Sequence, residues 1–380
     1  MRQANVNGKG AVFQVSDTKW VAKVCLGVDD NGKPIIKQFS GKTEAIAKKK
    51  LRDFKKSTDY TEKHIPSIDT VRAYFTAWMK EYRFHKLKPS SYDRLESTMV
   101  NHIFPYMGKM KVDKVTRNHI QGLINQLYSE KNLSYSSIKK VYVALNACYK
   151  HALIEGTVLR NPCVGISLPT ASERTKEVVA LSEKEVEQLR TAIMNANTSC
   201  TYAHAYLLIL NTGLRMGEAL SLKWEDIDFA NKTITITKNN ILSKKRDENG
   251  DRLGGYELRT QDSTKTASGN RTIPLNRSAE VALLELKKGN HTPHVIVNSR
   301  QHTILPSNFE RSFQGILKRA EMAPYGIHAL RHTFASMLFS KGVDVKIVSK
   351  LLGHSSVKIT YDTYVHLFEK DLERVTEVLD

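Results

Sequence analysis

Residues 326–336 read GIHALRHTFAS. Leu330 and Phe334 recur at helical spacing, so the segment reads as a buried helix. Yet His328, Arg331 and His332 crowd the same two turns. Histidine titrates near neutrality, and the guanidinium fork suits two-point contact with an oxyanion. A helix carrying both must bury one edge and offer the other to an anionic ligand.

The rest of the chain points to the kind of anion. There are 380 residues, enough for several domains with real cores, and 41% are hydrophobic. Fifty-eight lysines and arginines oppose 39 acids, giving a net charge of +19. Such an imbalance calls for a polyanionic partner, either nucleic acid or an anionic membrane surface. No apolar run approaches a membrane span, and residues 1–30 lack the apolar core of a signal peptide. The four cysteines are scattered without a CxxC pair, which excludes a disulfide framework or zinc knuckle and fits a reducing cytosol.

Three stretches follow. AVFQV (11–15), KWVAKVCLGV (19–28) and KPIIKQF (33–39) alternate like strands, with a hairpin signal in DDNGK (29–33). Thr43 can cap the lysine-rich helix that follows, and the basic sheet module reads as DNA-binding. Residues 70–156 carry four helical patterns, with serine caps expected after Pro89 and hydroxyl residues opening the third and fourth. Pro162 and Pro169 punctuate a segment that reads as an interdomain connection. Ser182 and Glu185 form a capping box, and YAHAYLLILNTGLRMGEALSLKWEDID (202–228) reads as two apolar helices around Gly213. KTITITK (232–238) and GNRTIPL (269–275) read as strands of one sheet separated by a loop that contains Lys265, and the remainder reads as helical.

Five motifs occur in order: TGLRMGEALSLKWEDID (212–228), TKTASGNRTIPL (264–275), HALRHTFAS (328–336), LLGHSS (351–356) and TYDTYVH (360–366). Together they resemble the catalytic domain of the tyrosine recombinases, nearest to the integrases of phages and integrative elements. The resemblance implies a multidomain, mainly α protein with small β elements. Residues 1–62 would be an arm-type DNA-binding domain of three strands and a helix. A helical core-binding domain (63–168), a linker (169–178) and a mostly α catalytic domain (179–380) would follow.

The resemblance also implies site-specific cutting and rejoining of DNA through a 3′-phosphotyrosine, to integrate and excise a mobile element. Tyr364 would be the nucleophile, since TYDTYVH fits T-x-x-x-Y-x-H, with Tyr361 left as a packing residue. Arg215 and Arg331 would bind the nonbridging oxygens, His354 would hydrogen-bond one of them, and His328 would assist proton transfer. Lys265, at the tip of a hairpin loop, would reach into the DNA and protonate the leaving 5′ oxygen, with Lys238 and Arg271 as rivals, and Glu218 would orient the site. His332 reads as a structural histidine. The His328–His332 spacing matches a zinc-protease helix, but Ala329 stands where that motif has glutamate. No metal or other cofactor is expected.

The implied partners are double-stranded DNA at core and arm sites, a homotetramer on that DNA, a DNA-bending accessory protein and an excision factor. The implied compartment is the bacterial cytosol. Leu367, Phe368, Leu372, Val375 and Leu379 lie near one face of a terminal helix. Periodicity alone folds that face back on its own domain, whereas the resemblance docks it on a neighbouring protomer. Two other readings use the same residues: a DNA-relaxing type IB topoisomerase, and a DNA-binding regulator that keeps the fold without activity.

Overall fold

The computed structural model describes residues 11–28, 34–56, 69–170, 179–196, 200–262 and 269–369. The hairpin turn at 29–33, most of the 169–178 connection, Lys265 and the tail beyond 369 lie outside the described residues, as do the side chains of Leu367 and Phe368. The chain forms two compact units that divide near residue 175, with 247–251 grouped with the first.

In the first unit, β1 (Ala11–Ser16), β2 (Lys19–Val28) and β3 (Pro34–Gly41) form an antiparallel sheet in that order. Thr43 Oγ1 accepts from the Ile46 amide at the start of α1 (Glu44–Lys56), as expected of a cap. Ala22 and Val24 of the sheet bury against Ala47 and Leu51 of this helix, and Lys48, Lys49 and Lys50 stay exposed. A separate cluster holds the helical bundle of α2 (Val71–Trp78), α3 (Pro89–Thr98), α4 (Phe104–Met107), α5 (Arg117–Ser129) and α6 (Tyr135–Ile154). Thr70 and Thr116 cap α2 and α5. The serine caps expected after Pro89 are not used. Pro89 itself occupies the first turn, where its missing N–H costs nothing, and Lys88 is the cap residue. Residues 99–103 widen into a π-type turn that leads into α4, so Pro105 falls in a fresh first turn rather than breaking a helix interior.

The second unit is built on α7 (Glu183–Ala196), α8 (His204–Thr212) and α9 (Met216–Ala219). The Ser182–Glu185 capping box closes in both directions. Gly213 ends α8 in the left-handed region at φ 67, so the second of the two expected helices is only the short α9. β4 (Ile227–Asp228), β5 (Thr233–Ile236) and β8 (Arg271–Pro274) form one antiparallel sheet, joining the two expected strands. The hairpin expected to carry Lys265 at its tip lies earlier in the chain: β6 (Lys238–Arg246) pairs with β7 (Arg252–Asp262), and the turn is at 247–251. α10 (Arg277–Lys287), α11 (Pro306–Arg319), α12 (His328–Ser340), α13 (Val345–Leu352) and α14 (Val357–Glu369) complete the unit. One large core runs from Leu181 to Leu330, and a smaller one joins α12, α13 and α14 through Ala335, Phe339, Val348, Leu352 and Tyr364. Among the described residues no helix is long and apolar enough to cross a membrane.

Candidate active site

Gly213 is the pivot. A side chain there would meet Phe334 Cδ1 at 2.5 Å in addition to the strain of its positive φ. The turn sends Leu214 into the core and leaves Arg215 part-exposed at the head of α9. The Arg215 amide and Nη1 donate to Glu218 at 2.9 and 2.7 Å. Glu218 is only 2% exposed, and its other partner is Arg271 of β8. The Arg271 Nη1 and Nη2 donate to Oε1 and Oε2 at 3.1 and 2.8 Å. Burial by itself would raise the Glu218 carboxyl, but Arg271 and then Arg215 outweigh it and hold the pKa at about 2.

The same arginines converge on the end of α13. Leu351 O accepts from Arg271 Nε at 2.7 Å, Leu352 O from Arg331 Nη2 at 2.6 Å, and Gly353 O from Arg215 Nη2 at 3.0 Å. These carbonyls lie at the negative end of the helix dipole, where intrahelical donors run out. Arg331 is 5% exposed and also donates through Nη1 to Gly213 O at 2.6 Å, so it bridges the glycine-terminated ends of α8 and α13. Burial and then Arg215 lower its pKa to about 9, still charged at neutral pH. Three guanidiniums against one carboxylate leave a formal charge of 3 − 1 = +2 in a largely dry setting. That surplus is what an anion with developing negative charge needs.

Three histidines surround the cluster. His354 follows Gly353 directly, and its Nδ1 lies 2.7 Å from Thr360 Oγ1 of α14. Burial, then Arg331, Arg215 and Arg271, lower it to about 4. His328 opens α12, and loss of hydration followed by the charges of Arg331 and Arg215 lowers it too. His332 lies 2.8 Å from the Tyr364 hydroxyl through Nδ1, and burial, His328 and Arg331 bring it to about 4. Tyr364 itself is 1% exposed, edge-on to His332 and 5.4 Å from the Phe339 ring. Burial pushes its hydroxyl up to about 12 against the pull of Arg331.

Most of the expected site residues therefore meet. Arg215 bonds Glu218 directly, Arg215 and Arg331 hold the adjacent Gly353 and Leu352 carbonyls just before His354, and Tyr364 joins them through the neighbour of Arg331. His332, read as a satisfied structural histidine, has its partner in the Tyr364 hydroxyl. Two other expectations are corrected by the structure. Tyr361 was expected to pack, yet it is 50% exposed while Tyr364 fills the pocket. Arg271 was a rival for the leaving-group acid, yet it is buried and fixed by Glu218 and Leu351. Its inward placement was readable, because Arg271 shares its phase on β8 with the core residue Ile273. Lys238 is half-buried at the start of β6, and Lys265 lies outside the described residues.

The low histidine pKa values make stability pH-dependent. Unfolded histidine takes up a proton near 6.5, whereas His332 and His354 do so only near 4 when folded. The unfolded state then binds more protons between those values, so stability falls as pH drops from about 6.5 to 4. The melting temperature should decline across that window, and His332→Gln should flatten the decline. An unchanged slope in that variant would reject the buried neutral histidine.

The sequence matches the phage integrase family over residues 180–371 and a phage integrase N-terminal SAM-like domain over 70–128. An XerC-like tyrosine recombinase of Caldanaerobacter subterraneus subsp. tengcongensis is 31% identical over 385 residues, covering 94% of each chain. The Tn1549 transposon integrase, solved with circular intermediate DNA, is similar at TM-score 0.64 and 20% identity, over 81% of this chain and 99% of that one. A lambda integrase, solved as a tetramer on a Holliday junction, is similar at TM-score 0.59 and 17% identity, over 96% of each. This chain belongs to the phage integrase family: it is a site-specific tyrosine recombinase of the mobile-element integrase type, which cuts and rejoins DNA through a tyrosine nucleophile.

Proposed function

We propose that Tyr364 is that nucleophile and that the arginine cluster at the end of α13 holds the scissile phosphate. The Tyr364 oxygen attacks phosphorus, the bond from phosphorus to the 5′ oxygen breaks, and a 3′-phosphotyrosine and a free 5′ hydroxyl remain. The phosphodiester energy is kept in the adduct, so attack by another strand's 5′ hydroxyl reseals DNA without ATP. Arg215 and Arg331 neutralise the nonbridging oxygens, and His354 donates a hydrogen bond to one of them. His328 assists proton transfer, and His332 is a second acceptor already in reach of the tyrosine hydroxyl. Lys265 protonates the leaving oxygen, and Glu218 orients Arg215. The observation that carries this reading is the +2 cluster on three consecutive carbonyls. A cavity of about 790 Å3 beside it, lined in part by Lys346, Lys350, Ser355 and Ser356, has the cationic and hydroxyl lining suited to backbone phosphates. With its ring enclosed, Tyr364 has to leave its pocket to meet DNA, so α14 moves when the site is loaded.

The substrates are the core and arm attachment sites of a mobile element, integrated and excised by a tetramer in which two duplexes exchange strands. The terminal segment after α14 docks on a neighbouring protomer, coupling one nucleophile to the next. A bending protein and an excision factor set the direction, and the reaction runs in the bacterial cytosol. Residues 1–62 read the arm sites, 63–168 grip the core site, 169–178 connect, and 179–380 carry the chemistry. The exposed Phe13, Val15 and Ile36 on the small sheet, with Lys23 Nζ 5.1 Å from the Phe13 ring centre, favour a nucleic-acid face there.

The test is a nicked duplex bearing the direct repeat that flanks the element, incubated with protein and run on a denaturing gel. A protein-linked strand supports the proposal, and its absence on every such duplex favours the inactive regulator. Relaxation of plasmids lacking the repeat would favour the topoisomerase reading. Duplex affinity should fall steeply with salt, because many phosphates are neutralised. Removing residues 1–62 should abolish arm-site binding and leave core-site cleavage, and equal loss at both sites would reject the domain division.

A further inference from the structure

Arg271 lends its charge to the cluster but has no contact assigned to it in the chemistry described above, yet it is the most completely engaged cation there. Its Nη atoms grip both Glu218 oxygens, Nε holds Leu351 O, and Nη1 also approaches Gly269 O at 3.4 Å. Gly353 lies against it so closely that a Cβ there would sit 2.8 Å from Nη1, and the Gly353 φ of 64 adds strain for any side chain. Two distant pieces of chain thus meet on one guanidinium: the carboxylate that holds Arg215, and the end of α13 running into the glycine before His354.

We propose that Arg271 is a positioning residue, a buried brace that acts through Glu218 and the Leu351 carbonyl to set where Arg215 and His354 point; this rests on the reading of the arginine cluster as the phosphate site. Arg271 is buried, and its donors are directed at protein, so it does not touch the phosphate. Its charge keeps Glu218 ionised, and its fork fixes distances. A lysine can supply the first but not both contacts of the second. The two parts of the role can therefore be separated by substitution.

The experiment is single-turnover adduct formation on the nicked repeat duplex, from about pH 5 to 8, with duplex affinity measured in parallel. Arg271→Gln should slow cleavage about 100-fold, the loss typical of a misplaced catalytic group, with affinity for the duplex maintained. Burial then dominates at Glu218, its pKa rises, and the carboxylate protonates as pH falls, so the variant gains an acid limb that the wild type lacks. Arg271→Lys should keep the flat profile and still cleave slowly. Gly353→Ala, which displaces the guanidinium without altering charge, should resemble Arg271→Lys. If Arg271→Gln folds poorly, the double variant Arg271→Gln, Glu218→Gln removes both buried charges, and it should cleave slowly without the acid limb. Wild-type rates in Arg271→Gln, or a slow rate with no acid limb, would overturn the proposal. Arg331→Ala and Tyr364→Phe serve as controls. If Tyr364→Phe too forms adduct, or Arg331→Ala forms it at the wild-type rate, the active-site reading itself has failed, whereas the expected losses in both beside an unaffected Arg271→Gln would reject the brace alone.

Discussion

Replacing Tyr364 with phenylalanine should abolish the protein–DNA adduct while duplex binding stays intact, and Tyr361→Phe should leave the adduct in place. The substitution removes one oxygen and keeps the ring that packs against Phe339, so the pocket among α12, α13 and α14 survives. The lost hydrogen bond to His332 costs about 1 kcal/mol, a small shift in melting temperature. No other atom of the phenylalanine can attack phosphorus, so the chemical effect is total. Tyr361 is the control that the geometry demands. It is three residues away and far more accessible, the easier nucleophile if exposure alone decided. The assignment to Tyr364 rests instead on its hydroxyl lying beside His332, next in sequence to Arg331. Peptide mapping of the adduct identifies the modified tyrosine directly. An adduct that persists in Tyr364→Phe and disappears in Tyr361→Phe would overturn the assignment.

What could be read from sequence was whatever is local. Gly213 as a helix stop, Thr43 and Thr116 as caps, and the Ser182–Glu185 box each involve residues a few positions apart, and each appears in the structure. The β5 and β8 strands were visible because Ile234, Ile236 and Ile273 alternate with polar residues and face a core. The β6–β7 hairpin was expected too late in the chain, with Lys265 at its tip, because a two-stranded ribbon rich in Lys and Arg has little apolar alternation to display, although Asn249–Gly250 was a turn signal. The site was legible as a set of residues and illegible as a network. The arginines that reach Leu351, Leu352 and Gly353 come from 80, 21 and 138 positions away. No periodicity encodes such meetings. Nor does any pattern say that His332 meets a tyrosine 32 residues later.

Arg331→Ala should lower cleavage about 100- to 1,000-fold, the usual cost of removing one preorganised donor to a developing oxyanion, and it should also destabilise the fold. Arg215→Ala should match the first effect and largely lack the second. The contrast follows from where the two guanidiniums stand. Arg215 is 36% exposed in its side chain, and its removal leaves Glu218 with both donors of Arg271 and strands a single carbonyl, that of Gly353. Arg331 is buried, and its two short bonds link the Gly213 and Leu352 carbonyls at the ends of α8 and α13. Alanine strands both acceptors, at about 1–3 kcal/mol for each, and opens a cavity between the two cores. Arg331→Lys tests which part matters. It restores a positive charge but cannot span two carbonyls and a phosphate at once, so it should recover binding before it recovers rate. Thermal melts and single-turnover cleavage on the same three variants separate the outcomes. Equal stability loss in Arg215→Ala and Arg331→Ala would reject the bridging role of Arg331, and a cleavage rate in Arg331→Ala near that of wild type would remove it from the phosphate site.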